Sequence, residues 1–170
     1  NDAKDFAYIY TLANNNSFFA SKDVTYYLKN DIDLSEIPSN SYAYDDFFSA
    51  KIIGNTNVAA SINVSNGNVN GVTIYNFVIN NTIAYSGFEC YGLFPLFDGI
   101  IENVNFYVSD TIDNINSYNS SLPTKAIGLV CGINEGGSIT NVRTYGNISF
   151  NSNMGRYYAG GAIGIMSRNA

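Results

Sequence analysis

The chain has no histidine and no tryptophan, and only 13 % of its 170 residues are charged. Without histidine, nucleophilic triads of the usual Ser-His-Asp kind cannot be assembled. The eight lysines and arginines are scattered along the chain and face fourteen acids, for a net charge of -6. A phosphate backbone calls for clustered cations, so nucleic acid is not an expected partner. No apolar run approaches the roughly 18 residues of a membrane span, so a membrane-embedded chain is not expected. No signal peptide opens the sequence. It starts at Asn1 and stops at Ala170 just after an apolar stretch, the pattern expected of a piece of a longer chain with other domains. Cysteine is scarce: Cys90 and Cys131 are alone, with no C-x-x-C. Two thiols make no disulfide scaffold, and the missing motif speaks against zinc. They read either as buried free thiols or as a single bridge.

Asparagine, by contrast, occurs 26 times, tyrosine 14 and phenylalanine 11. With 46 % hydrophobic residues the chain can bury the core of one domain and is not a disordered tail. Five N-x-S/T sequons, at Asn15, Asn63, Asn80, Asn119 and Asn147, are no more than so much asparagine gives by chance.

Residues 3–13 place Phe6, Ile9, Tyr10 and Ala13 at spacings of three and four, a helical period, with Asp2 or Asp5 available to the first turn. In residues 24–35, Tyr26, Leu28, Asn30, Ile32 and Leu34 share one parity and read as a strand. Pro38 and the polar stretch to Asp46 read as a loop. Beyond it come short β-like runs punctuated by glycine and asparagine.

Those runs repeat. Ile74-Tyr-Asn-Phe77, Ile101-Glu-Asn-Val104 and Ile139-Thr-Asn-Val142 share one form, each with a glycine upstream: Gly71, Gly99 and Gly137. "YGLFPLF" at 91–97 matches "IGLVCGI" at 127–133 and, more weakly, "AGGAIGI" at 159–165. The spacings, 27 and 38 residues between asparagines, fall in the range of stacked repeats. After each asparagine one parity is apolar: Val104, Phe106 and Val108 oppose Asn105, Tyr107 and Ser109. The isoleucine before the asparagine is apolar at the other parity, so a straight strand cannot turn both inward. The chain must bend at the asparagine, which tolerates the left-handed backbone region best after glycine. Stacking would then set Asn76, Asn103 and Asn141 one above another as a corner ladder, with Ile74, Ile101 and Ile139 aligned beside them. Ser109–Lys125 exceeds what a repeat needs and reads as an extruded loop.

These residues resemble the GLUG-type repeat: G-L-[FV]-G or close to it, then a glycine before I-x-N-[VLC]. The preceding "YYLKNDIDLSE", "FFSAKIIG" and "NGVTIYNFVI" resemble the stretch that usually comes before such repeats, so the likeness covers most of residues 5–165. Ala50 stands where glycine is usual, Pro95 replaces a small residue, and Cys131 is extra. The resemblance implies an all-β fold, a right-handed parallel β-helix with a short N-terminal capping α-helix. Residues 1–35 would form the cap and first strand, and residues 36–170 irregular coils continuing past the C-terminal end. It also implies an extracellular setting, in large secreted or surface-anchored bacterial proteins such as adhesins and the non-catalytic regions of surface proteases.

The expected function is therefore a non-catalytic structural or adhesive module. It would present a face or loop to a host or neighbouring-cell protein or glycan, without a cofactor. The alternative is a carbohydrate-active β-helix, either glycan-binding or lyase-like. A lyase needs acids around calcium, and the candidates are Asp31, Asp33 and Glu36, then Asp45 and Asp46. Oxygen ligands alone are far from specific, and no metal is expected. Gly136-Gly137 and Gly160-Gly161 lack the Lys-Ser/Thr of a phosphate loop and read as tight corners. Tyr107 and Tyr145, each four residues past a corner asparagine and outward in parity, form the candidate ligand face; stacked surface tyrosines can equally serve only to stabilise strand contacts.

Overall fold

In a computed structural model the described residues are 2–58, 71–79, 82–108, 112–115, 124–150 and 156–167. The first element is α1 (Ala3–Asn15). Asp2 caps it, its Oδ1 accepting from the Asp5 N–H at 3.0 Å and satisfying one of the free donors of the first turn. The apolar stripe Phe6, Ile9, Tyr10 and Ala13 faces inward. Asn16 ends the helix in extended backbone and starts a 3-10 turn, Ser17–Ala20, by accepting from the Phe18 N–H.

The strands then come in successive passes. β1 (Thr25–Leu28) and β2 (Ile32–Asp33) are followed by β3 (Lys51–Gly54) and β4 (Val72–Tyr75). The hairpin of β5 (Thr82–Tyr85) and β6 (Phe88–Tyr91) leads to β7 (Leu96–Phe97). The next pass holds β8 (Ile100–Glu102), β9 (Val104–Tyr107), β10 (Ile112–Ile115), β11 (Thr124–Gly128) and β12 (Cys131–Asn134). The last holds β13 (Ser138–Thr140), β14 (Arg143–Tyr145), β15 (Ile148–Phe150), β16 (Arg156–Gly160) and β17 (Ile163–Met166). The sheets run β1-β3-β8-β13, β14-β9-β4-β2, β10-β15, β16-β11-β6-β5 and β17-β12-β7. Pairing between passes is parallel, whereas β5 and β6 pair antiparallel.

The expected all-β right-handed parallel β-helix, and the solenoid of coils it implied, are corrected by this arrangement. Among the described residues the strands divide among five separate sheets, one with an antiparallel pair, and the helix is built into the main core. The described residues form no closed or continuous helix of strands. The result is of α/β type: one helix against several short, mostly parallel sheets. The physical reason is the shortness of the runs, two to five residues each, cut off by corners before a sheet can widen along the chain. Two smaller expectations change as well. Residues 24–35 are two strands, β1 and β2, with a break at Lys29–Asp31. The expected loop 109–125 lies partly outside the described residues, but 112–115 and 124–125 belong to strands.

The core centres on aromatic side chains. Tyr10 of α1 stacks on Phe94, with ring centroids 5.8 Å apart, and Phe48 lies 4.9 Å from Phe94. The Tyr10 hydroxyl donates to the Leu93 carbonyl at 3.1 Å, so its one polar atom is satisfied in the interior. A smaller cluster of Cys90, Leu96, Ala126 and Ile133 packs against Phe47, Ile83 and Tyr85.

Candidate functional site

The sheet β14-β9-β4-β2 carries three of the expected site residues, Asp33, Tyr107 and Tyr145, and is flanked by the corner asparagines. Ile32, Ile74, Val104 and Phe106 point into the core, and the intervening side chains lie on the other face, where Thr73 is buried as well. Parallel register places Asp33, Tyr75, Tyr107 and Tyr145 in one outward column, and Thr73, Asn105 and Arg143 in the next. Tyr107 and Tyr145 stack face to face, with centroids 5.1 Å apart and planes 3° from parallel. Stacking uses the ring faces on each other, so the column shows edges to solvent, and the free face is that of Tyr145, 54 % exposed. At the other end, burial and the neighbouring Asp33 and Asp31 raise the Tyr75 phenol above its ordinary pKa.

The acids expected as weak calcium candidates are tied into the scaffold. Asp31 Oδ1 accepts from the Thr73 N–H at 2.6 Å. Asp33 Oδ1 accepts from the Ser35 N–H and from Asn76 Nδ2, both at 3.0 Å. Burial pushes the Asp33 carboxyl upward, but these hydrogen bonds outweigh it and hold the group below the usual carboxylate range. Glu36 is exposed, and Asp46 accepts from the Phe47 N–H. Among the described residues no group of three acids, cysteines or histidines stands close enough to hold a metal ion.

The three corner asparagines all take positive φ: 57° at Asn76, 58° at Asn103 and 50° at Asn141. Asn103 and Asn141 occupy the same corner in successive layers, and Asn141 Nδ2 donates to Asn103 Oδ1 at 2.7 Å. Asn76 is elsewhere. Val72 pairs with Val104, so the residue above Asn103 is Gly71, at φ 151°, and Asn76 stands five residues further on at the next corner. Correspondingly, Ile74 pairs with Phe106, and the column of Ile101 and Ile139 is completed by Ile52. The first tetrad thus matches the others in letters but not in place.

The strands at 91, 127 and 159 do stand in register, through Tyr91, Ile127 and Ala159. Further along, Ile133 pairs with both Leu96 and Ile165. Cys131, opposite Ile163, is therefore an ordinary position, and it is the first box that is shorter by one residue.

Both cysteines are buried and free. Burial pushes the Cys90 thiol up to about 12 and Cys131 higher still, so neither is a nucleophile. With no histidine in the chain and Asp31 and Asp33 engaged as described, the described residues assemble no catalytic constellation.

Two features went unread in the sequence. A cleft of about 240 Å³ lies between α1 and the β1–β2 segment, walled by Tyr8, Leu12 and Tyr27, with Asp2 and Asp5 at its rim. And inside the core, Lys125 on β11 pairs with Glu89 on β6. The available signal was a single charge within each of two apolar runs, "FECY" and "TKAIG". Burial disfavours the Lys125 ammonium, but the hydrogen bonds to Glu89 and Tyr91 outweigh it and raise its pKa.

Comparison with protein-family models, curated proteins and solved structures gives no match. The GLUG resemblance gains no support from them, nor do the cell-surface and adhesin terms that came with it.

Proposed function

We propose that the chain is a non-catalytic structural module that presents a rigid sheet face to a macromolecular partner. The observation that carries this reading is the outward column Tyr75–Tyr107–Tyr145. It is built on parallel strands in register and closed at one end by Asp33, and Tyr145 has the exposed ring face at the other. Aromatic side chains held by a scaffold lose little conformational entropy on contact and serve as anchors in recognition surfaces. Of the acids that a catalyst could use, Asp31 and Asp33 are engaged as acceptors within the scaffold and Glu89 in an internal ion pair.

A glycan-binding version of the same reading rests on the free face of Tyr145, against which one sugar ring could stack. Tyr107 and Tyr145 spend one ring face each on the other, so a single-ring contact at Tyr145 and weak affinity are expected. Titration on a glycan array and on candidate protein partners, with Tyr145→Ala beside the native chain, tests the reading. Binding that is lost in Tyr145→Ala with an unchanged melting temperature supports it. Binding indifferent to Tyr145, or release of unsaturated product from a uronate polysaccharide by the purified chain, would overturn it.

A further inference from the structure

We propose that Lys125 and Glu89 condense to an intramolecular amide cross-link, which makes this buried pair a self-modification site. The inference is independent of the proposed recognition face. The two residues lie directly opposite each other on adjacent parallel strands, β11 and β6. Their side chains are buried, at 1 % and 9 % exposure, and Nζ is in direct contact with the Glu89 carboxyl. The Tyr91 hydroxyl lies 3.3 Å from Nζ, and its ring sits beneath the ammonium, 5.3 Å from Nζ to the centroid. The pair is thus an amine and a carboxyl held in contact, with a proton carrier beside them.

Two forces favour the reaction. A buried ion pair carries a desolvation cost that an uncharged amide does not. Fixed contact also replaces a bimolecular encounter with an internal one, worth effective concentrations of about 10⁵–10⁸ M in well-oriented systems. The step balances without an oxidant or co-reactant. A proton passes from Nζ to the carboxylate, leaving a neutral amine and a neutral acid. The Nζ lone pair attacks Cδ of Glu89. The Tyr91 hydroxyl gives its proton to the departing hydroxyl and takes one from Nζ. One C–O and one N–H bond break, one C–N and one O–H bond form, and one water leaves. The product ties β6 to β11 covalently.

Mass spectrometry of the purified, folded chain, run under denaturing conditions, decides the matter. The expected mass is one water below that of the sequence. A tryptic digest should lack cleavage after Lys125 and should contain the Glu89 peptide joined to it. Glu89→Gln should reach the same cross-linked mass by losing ammonia instead of water, and Tyr91→Phe should accumulate the product more slowly. Lys125→Met should keep its full sequence mass, whether or not it folds. A native chain at its full sequence mass overturns the proposal. So does a water loss that maps elsewhere, for example to an imide at Asp98-Gly99.

Discussion

Replacing Asn103 with alanine tests the corner argument most directly. Asn103 sits at φ 58°, between β8 and β9, and its Oδ1 accepts from Asn141 Nδ2 at 2.7 Å. An alanine there meets the left-handed penalty of about 1 kcal/mol, at the low end of the range for L-residues because asparagine already bears part of it. It also loses a side-chain hydrogen bond worth about 1 kcal/mol. The expected cost is therefore about 2 kcal/mol, or a drop in Tm of about 4–8 °C for a chain of this size. Asn105→Ala is the control. Asn105 is two residues away, on the outward parity of β9, and its Oδ1 is buried without a partner, so no bond is lost. Its effect should stay within about 0.5 kcal/mol. Thermal unfolding followed by circular dichroism reads both variants. A double-mutant cycle of Asn103→Ala with Asn141→Ala should show a coupling of about 0.5–1 kcal/mol, since the two alanines remove one shared bond. Equal melting temperatures for Asn103→Ala and Asn105→Ala, or strict additivity in the cycle, would refute the reasoning.

Tyr10→Phe leaves the buried Leu93 carbonyl without its donor and should cost about 1–2 kcal/mol, seen as a lower urea midpoint at unchanged slope. Gly54→Ala should abolish cooperative unfolding, because a Cβ there would stand 2.0 Å from the Asn103 carbonyl oxygen, a backbone atom held by the strands on either side. The buried thiols should make stability fall in alkali. Their folded pKa values are raised, to about 12 for Cys90. Above the unfolded thiol value of about 8.5 the unfolded chain therefore binds fewer protons than the folded one, and stability declines by about 1.4 kcal/mol per pH unit for each thiol. Urea unfolding near pH 8 and near pH 10 should differ by about 2 kcal/mol more per cysteine in the native chain than in a Cys90→Ala/Cys131→Ala variant. An identical pH dependence in the two would show that the thiols are not responsible.

Local features were legible in the sequence because their causes are local. The helix over residues 3–13 follows from the spacing of Phe6, Ile9, Tyr10 and Ala13, and the structure extends it to Asn15. The positive φ at Asn103 and Asn141 follows from two apolar residues of opposite parity around one asparagine. What no local rule could decide was which run pairs with which. Ile74-Tyr-Asn-Phe77 has the letters of the other two tetrads, yet the pairing of Val72 with Val104 moves it one corner along, and Gly71 takes the asparagine's place. A four-residue motif fits any corner that needs a left-handed residue, and glycine fills that need as well as asparagine does. The division into several sheets likewise depends on where each short run finds its neighbour, as does the entry of Tyr10 into the core beside Phe94. Nor could parity alone show that the rings of Tyr107 and Tyr145 spend their faces on each other. Lys125 and Glu89 are 36 residues apart, each a single charge within an apolar run. Only the register of β6 against β11 sets them face to face, because contact between distant residues is a property of strand pairing and not of either strand alone.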